Sequence, residues 1–220
     1  MDPPAGRHPT IEYVAPFVVY AGMIALPLSP GLLFPIRFVI VLAVLLFVSR
    51  PYLTLHPSHL LASIGIGIAV FVVWVGPDLL FGYRHYWLFE NPVVGKATSS
   101  LAPSLQQDYF FLLIRVLSSV ALVPVLEELF WRGWLLRWLI QSDFRKIPVG
   151  THQAGAFWLV AVLFAAEHGP FWEVGLLAGI IYNWWMVRTK NLADCILAHA
   201  VTNGILAIYV LAAGQWQYWL

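Results

Sequence analysis

Val123-Pro-Val-Leu-Glu-Glu-Leu-Phe-Trp-Arg-Gly-Trp134 places three charged side chains inside a largely apolar run from residue 109 to 140. A charged side chain near the centre of a bilayer costs roughly 2.5–3.5 kcal/mol on insertion scales. A soluble helix would not need this density of Leu, Val, Phe and Trp, and a lipid-embedded helix would not retain three charges without a reason. Glu127, Glu128 and Arg132 are therefore the first candidates for a functional site.

Composition predicts a polytopic membrane protein. The chain has 220 residues, of which 60% are hydrophobic and 10% charged, and its mean hydropathy is +0.78; soluble domains carry about 25% charged residues. A net charge of +1 argues against nucleic acid as a partner, and a single cysteine excludes an intrachain disulfide. Residues 1–10 are predicted to be a disordered tail without a cleavable signal, and residues 11–220 one transmembrane domain.

The hydrophobic segments predict an all-α fold, a transmembrane bundle of about seven to eight helices around an intramembrane cavity. About 17–25 residues are needed to cross 30 Å of hydrocarbon, and Pro, Gly and Ser bound the segments. The third is expected to stop at Gly76-Pro77-Asp78, and the fifth and sixth are short enough to border a cavity. The predicted spans are 11–28, 34–49, 59–75, 114–138 (within a longer helix, 104–140), 154–168, 172–187 and 192–213.

The distribution of Lys and Arg between the connecting segments predicts the orientation. Cytoplasmic loops of membrane proteins carry an excess of both residues. The N-terminal side holds Arg7, Arg50, Arg137, Arg145, Lys146, Arg188 and Lys190, whereas the opposite side holds Arg37, Arg84 and Lys96. We therefore expect a cytoplasmic N-terminus. This orientation together with the compact length favours a multi-pass protein of a bacterial inner membrane.

Glu127 and Glu128 are adjacent, so on a helix they point about 100° apart and cannot face one cavity equally. Glu128 and Arg132 are four residues apart and can form an ion pair on one face. That pair would neutralise one carboxylate and leave Glu127 free. A free carboxylate in an apolar pocket is suited to general-base chemistry.

Two later segments carry the other candidate groups. His168 directly precedes a Gly-Pro break, and His199 and Asn203 are four residues apart, so both project to the same side of their helix. A carboxylate, two imidazoles and a carboxamide are suited to activating water and stabilising an oxyanion. Glu167, beside His168, is expected to face the interface or the loop and is left out of this site.

The same residues form three motifs in order. Glu127-Glu-Leu-Phe-Trp-Arg132 fits Glu-Glu-x-x-x-Arg, Phe164-Ala-Ala-Glu-His168 fits Phe-x-x-x-His, and His199-Ala-Val-Thr-Asn203 fits His-x-x-x-Asn. Over residues 104–213 the chain thus resembles the CAAX prenyl endopeptidase and bacteriocin-processing (CPBP) family of membrane peptidases. The first three predicted spans carry no part of this pattern.

The resemblance implies a glutamate-dependent intramembrane endopeptidase. Glu127 with His168 would activate water, His199 with Asn203 would stabilise the oxyanion, and Glu128 with Arg132 would support the site. The implied partners are the lipid bilayer and a membrane-associated protein or peptide substrate. Small relatives also accompany protein-sorting systems, and no feature of the sequence selects one substrate.

Three other hypotheses remain open at this stage. Cys195 and His199 are four residues apart and could form a cysteine peptidase pair. No cofactor is predicted, but Glu127, His168 and His199 could converge as zinc ligands with one open position. Alternatively, the chain could be a non-catalytic membrane adaptor, a protein-sorting accessory or a proton-coupled transporter, although no inverted repeat supports transport.

Overall fold

In a computed structural model, residues 9–53, 55–99 and 101–219 are described, and they form an all-helical bundle without β-strands. The seven main helices are α1 Thr10–Ile24, α2 Pro30–Tyr52, α3 Leu60–Phe81, α4 Tyr109–Trp138, α5 Ala154–Ala166, α6 Trp172–Thr189 and α7 Leu192–Ala213. The predicted fold class is confirmed. The predicted tail, residues 1–10, lies almost wholly outside the described residues.

Four of the helices, α2, α3, α4 and α7, are long and apolar enough to cross a membrane. Helices α1 and α5 are apolar but shorter. Many large apolar side chains on the bundle surface are exposed, including Phe47 and Leu61, which a lipid environment would cover. The chain is an integral membrane protein.

Helix α3 does not stop where the sequence indicated. Pro77 lies inside the helix, which continues to Phe81 and ends at Gly82, a residue with a φ of +57°. Proline removes one backbone donor and disturbs one turn, and helices in membranes tolerate this loss. The left-handed conformation at Gly82 supplies the stop, because glycine adopts it without a Cβ penalty.

Helix α4 begins later than predicted and is not uniform. The Asp108 side chain accepts hydrogen bonds from the backbone N–H groups of Phe110 and Phe111, so the cap sets the first helical residue at Tyr109. Two segments of α4, Ser118–Leu122 and Leu129–Leu135, are π-helical and enclose the short α-helical stretch Val123–Glu128. Wider turns of this kind are found frequently at functional sites.

Helices α3 and α7 pack in direct contact. A Cβ built on Gly67 would lie 2.5 Å from the Ala198 carbonyl oxygen, so only glycine fits there. Thr202 donates a hydrogen bond to the Gly67 carbonyl. The buried Asp194 carboxylate accepts hydrogen bonds from the His59 backbone N–H and from the Ser63 hydroxyl at the start of α3. These contacts fix the position of α7, the helix that carries His199 and Asn203.

Candidate active site

A cavity of about 550 Å³ lies between the helices, within the range of small-molecule and peptide pockets. Its walls come from α1, α3, α4, α5, α6 and α7, from the turn after α5, and from the segment after α7. All four residues predicted to do chemistry line it: Glu127, His168, His199 and Asn203. Residues separated by 76 positions in the sequence therefore meet at one space.

Glu127 projects from the α-helical stretch of α4 between its two π-helical segments. The side chain is only 9% exposed, and no group among the described residues forms a hydrogen bond with its buried Oε2. A buried carboxylate oxygen without a donor is costly. Glu127 is thus a carboxylate that faces the cavity and is not engaged in holding the helices together.

Glu128 and Arg132 form the predicted ion pair, with 3.1 Å between Glu128 Oε1 and Arg132 Nη1, and both side chains are completely buried. The guanidinium also donates to Asn183 Oδ1 at 2.9 Å and to the Gly179 carbonyl, and it stacks over the Phe164 ring. Asn183 donates in turn to the Phe157 carbonyl. The network therefore connects α4, α5 and α6 directly behind the cavity.

His199 is held by the same network. Its Nδ1 lies 2.9 Å from Glu128 Oε1, the oxygen that Arg132 also contacts, and its ring stacks on Tyr182 at 5.1 Å between centroids. Because a carboxylate can only accept, Nδ1 carries a hydrogen. This leaves Nε2 as the ring nitrogen available to the cavity.

His168 follows the end of α5 and packs against Trp74, with 5.1 Å between the rings. Its Nδ1 lies 2.7 Å from the Phe164 carbonyl oxygen. A carbonyl can only accept, so Nδ1 is the protonated nitrogen of the neutral ring and Nε2 carries the free lone pair. Gly169, at φ +53°, then turns the chain into α6.

Asn203 lies one turn beyond His199 on α7. Its Nδ2 donates to the Ser119 carbonyl at 2.8 Å, inside the first π-helical segment of α4. This bond uses one of the two amide hydrogens and orients the carboxamide at the cavity wall.

The expectation for Glu167 is only partly right. The residue is exposed, as expected, but it also lines the cavity, and the Trp131 indole N–H donates to its Oε1 at 3.1 Å. The helix ends at Ala166, so helical periodicity does not determine the direction of residue 167. A second carboxylate therefore borders the space that Glu127 faces.

The cysteine hypothesis does not fit the geometry. Cys195 is completely buried and does not line the cavity. Its Sγ contacts the Tyr182 carbonyl and Met186 Sδ, each at 3.7 Å. The thiol points toward α6 and away from the site.

The zinc hypothesis is not supported by the arrangement of donors. Among residues 9–53, 55–99 and 101–219, no group of three or more His, Cys, Asp and Glu side chains is close enough to hold a metal ion. Glu127, His168 and His199 thus line one cavity without forming a three-ligand set.

The fold and the site together define a class: a polytopic helical membrane protein with an intramembrane cavity lined by one unpaired glutamate, two histidines and an asparagine. Residues 109–205, from the start of α4 to the middle of α7, match the family model described as "Type II CAAX prenyl endopeptidase Rce1-like". The resemblance drawn from the three motifs is confirmed over these residues. A search of curated proteins and a search of solved structures found no match.

Proposed function

We propose that the protein is an intramembrane endopeptidase that hydrolyses a peptide bond of a membrane-associated protein or peptide. One observation carries the proposal: Glu127, His168, His199 and Asn203 line a single cavity, and Glu127 Oε2 has no hydrogen-bond partner among the described residues. The match to a prenyl endopeptidase family over residues 109–205 supports the same reaction class.

Water activation is assigned to Glu127 and His168. The Glu127 carboxylate accepts a proton from water, while Nε2 of His168 accepts a second hydrogen bond and orients the oxygen. The oxygen attacks the scissile carbonyl carbon as the C=O π electrons move to the carbonyl oxygen. His168 is suited to this role because its Nδ1 is fixed by the Phe164 carbonyl.

Stabilisation of the oxyanion is assigned to His199 and Asn203. Asn203 has one amide hydrogen left after its bond to Ser119, and His199 donates from Nε2 when the ring is protonated on both nitrogens. The Glu128 carboxylate beside Nδ1 supplies the counter-charge for that ring. Arg132 and Asn183 hold Glu128 in place behind the cavity.

Breakdown of the intermediate returns the proton. Glu127 transfers the proton taken from water to the leaving nitrogen, the C–N bond breaks, and the oxyanion electrons re-form the carbonyl. The products are a carboxylic acid and an amine, and Glu127 ends as the carboxylate that began the cycle. One water is consumed for each bond that is cut.

The decisive experiment measures cleavage in proteoliposomes that contain the purified protein and a pool of hydrophobic peptides, with products identified by mass spectrometry. Glu127→Gln and His168→Ala should each lower turnover roughly 100-fold or more, since general acid–base catalysis contributes about 10²–10⁴-fold. Glu90→Gln is the matched control, because Glu90 lies in the segment between α3 and α4 and pairs with Lys96. Undiminished cleavage by Glu127→Gln would refute the mechanism, and no cleavage by the unaltered protein would favour a membrane adaptor.

We further propose that the reaction needs no metal. Glu127 and His168 suffice to activate water in this scheme, and the described residues offer no three-ligand set. Elemental analysis of the purified protein and cleavage after treatment with a chelator test this. Stoichiometric zinc together with loss of cleavage on chelation, restored by zinc, would overturn it.

A further inference from the structure

The cavity carries a second carboxylate, that of Glu167, which takes no part in the proposed hydrolysis. Its Oε1 accepts a hydrogen bond from the Trp131 indole N–H at 3.1 Å, and the residue lines the cavity. No Lys, Arg or His side chain among the described residues lies within ion-pair distance of it. Glu167 directly precedes His168, to which the orientation of the attacking water is assigned. An acidic group without a protein cation is therefore the chain neighbour of a proposed catalytic residue.

Glu127 and Glu167 lie at the same end of the cavity. Trp131 follows Glu127 by four positions on α4, and its indole holds the Glu167 carboxylate. Glu127 is 9% exposed, and its buried Oε2 has no hydrogen-bond partner among the described residues. Two carboxylates that border one apolar space repel each other, and either a proton or a cation relieves the repulsion. We call this part of the cavity, with Glu127 and Glu167, the acidic end.

Aromatic rings surround the acidic end. The Trp131 ring packs against Phe17 at 5.4 Å and against Phe164 at 6.1 Å between centroids, and both phenylalanines line the cavity. The face of an aromatic ring attracts a cation, most strongly where water is excluded. The Phe164 ring already carries the Arg132 guanidinium, which is paired with Glu128, so Phe17 is the ring available to a ligand. Carboxylates beside aromatic rings suit a cationic ligand.

We propose that the acidic end binds a cationic side chain of the peptide substrate, a Lys or an Arg, beside the bond that is cut. Ammonium and guanidinium groups form charge-assisted hydrogen bonds with carboxylates, and these are stronger than neutral ones. The cation belongs to a side chain because an endopeptidase holds peptide on both sides of the scissile bond. The position beside the cut follows from the chain order, since Glu167 and His168 are consecutive. This subsite deepens the proposed function, on which it rests.

A subsite for Lys or Arg would select one part of a membrane-associated substrate. Both residues are rare inside apolar membrane segments and concentrate at the ends of such segments, where the charged group reaches water. A cavity that requires one of them next to the scissile bond therefore directs cleavage to the border of an apolar segment. Apolar side chains farther along the substrate contribute affinity but do not determine which bond is cut.

Two substitutions of Glu167 separate its charge from its contact with Trp131. Glu167→Gln removes the charge and keeps a carbonyl oxygen that can accept from the indole N–H. Glu167→Lys reverses the charge. Glu90→Gln is the matched control, because Glu90 does not line the cavity and pairs with Lys96 in the segment between α3 and α4.

The test measures binding separately from catalysis. Protein that carries Glu127→Gln is placed in phosphatidylcholine vesicles with hydrophobic decapeptides that are acetylated, amidated and labelled with a neutral fluorophore. In each pair of peptides, one position holds either Lys or norleucine, and this position is moved along the peptide. At the best position the Lys peptide should bind roughly tenfold tighter, because hydrogen bonds to charged groups are strong. Adding Glu167→Gln should remove the difference, Glu167→Lys should favour a Glu peptide, and Glu90→Gln should retain the preference for Lys.

Each outcome decides between the proposals. Equal binding of Lys and norleucine peptides at every position by folded protein, verified by its thermal unfolding, overturns the subsite, as does a preference that Glu167→Gln retains. Tighter binding of peptides with a free N-terminal ammonium, without a preference for Lys, assigns Glu167 to chain ends and also overturns it. A preference for Lys in a protein whose unaltered form cuts no peptide supports the subsite and refutes the endopeptidase. Cleavage at bonds unrelated to the position of Lys supports the endopeptidase and refutes the subsite.

Discussion

At the scale of single residues, one carboxylate oxygen joins the buried ion pair to a histidine of the cavity. Glu128 Oε1 contacts both Arg132 and His199, so the carboxylate that neutralises the buried arginine also orients the imidazole at the cavity. The neighbouring Glu127 makes no such contact through its Oε2 among the described residues. The sequence predicted the division between the two glutamates from helical spacing, but the contact between Glu128 and His199 depends on packing between α4 and α7.

Asn183 offers a test of the supporting network. It is completely buried, and it accepts from Arg132 Nε and donates to the Phe157 carbonyl. Asn183→Ala should lower the free energy of unfolding by about 1–3 kcal/mol, because both partners lose a buried hydrogen bond. Thermal unfolding in detergent measures this, with the exposed Gln141→Ala as the control. A change no larger than that of Gln141→Ala would contradict the structural role.

Cys195 provides the opposite expectation. Its thiol is buried against α6 and does not line the cavity, so Cys195→Ala should retain cleavage within about threefold while costing about 1 kcal/mol of stability or less. The measurement is turnover of the peptide pool alongside Glu127→Gln. Loss of turnover in a well-folded Cys195→Ala protein would revive the cysteine mechanism.

Part of the site could be predicted from sequence and part could not. Charges in an apolar run and i,i+4 spacing indicated Glu127, Glu128, Arg132, His199 and Asn203. The sequence did not indicate Asn183, Tyr182 or Trp131. The residues around them in the chain do not show which groups on other helices they contact. The cavity contact of Glu167 was not predicted because the residue lies just past the end of α5, where helical periodicity no longer applies.

At the scale of helices, the fit of α3 against α7 determines where the motif side chains lie. The start, end and apolar composition of α7 followed directly from the sequence, since Asn191 caps it and Gly214 ends it. The end of α3 did not, because a Gly-Pro pair stops many soluble helices but disturbs only one turn of this one. The π-helical segments of α4 likewise have no marker in the residue pattern.

Gly67 tests the contact between these helices. Gly67→Ala places a methyl group 2.5 Å from the Ala198 carbonyl oxygen and 2.7 Å from Val201 Cβ, so α7 must move. The expected cost is about 1–3 kcal/mol of stability, as for other overpacked sites, with a larger fall in cleavage because His199 and Asn203 shift. Gly65→Ala is the matched control on the same helix, since nothing lies within 4 Å of its added Cβ. Similar behaviour of both variants would contradict this role for the contact.

At the scale of the whole molecule, the orientation in the membrane is a prediction from the loop charges. Lys146 lies between α4 and α5, and Lys96 lies between α3 and α4; their side chains are 68% and 63% exposed. If the N-terminus is cytoplasmic, these two positions are on opposite sides of the membrane.

Labelling can check the orientation. In a Cys195→Ala background, Lys96→Cys should react with a membrane-impermeant maleimide on intact cells, whereas Lys146→Cys should react only after permeabilisation. The same label added after lysis serves as the control for accessibility. The reverse pattern would place the N-terminus outside, and labelling of both positions on intact cells would contradict the predicted number of crossings.

The cavity wall is formed partly by residues that match the family model and partly by residues outside that match. Residues 109–205 carry every proposed chemical group and match the family, whereas Tyr20, Val70, Trp74 and Trp219 line the same cavity from outside that range. Substitutions in the flanking helices can therefore change the shape of the cavity without changing the proposed catalytic side chains. If the proposed function is correct, hybrids that join residues 109–205 to the flanking helices of a homologue should therefore cleave the homologue's substrates.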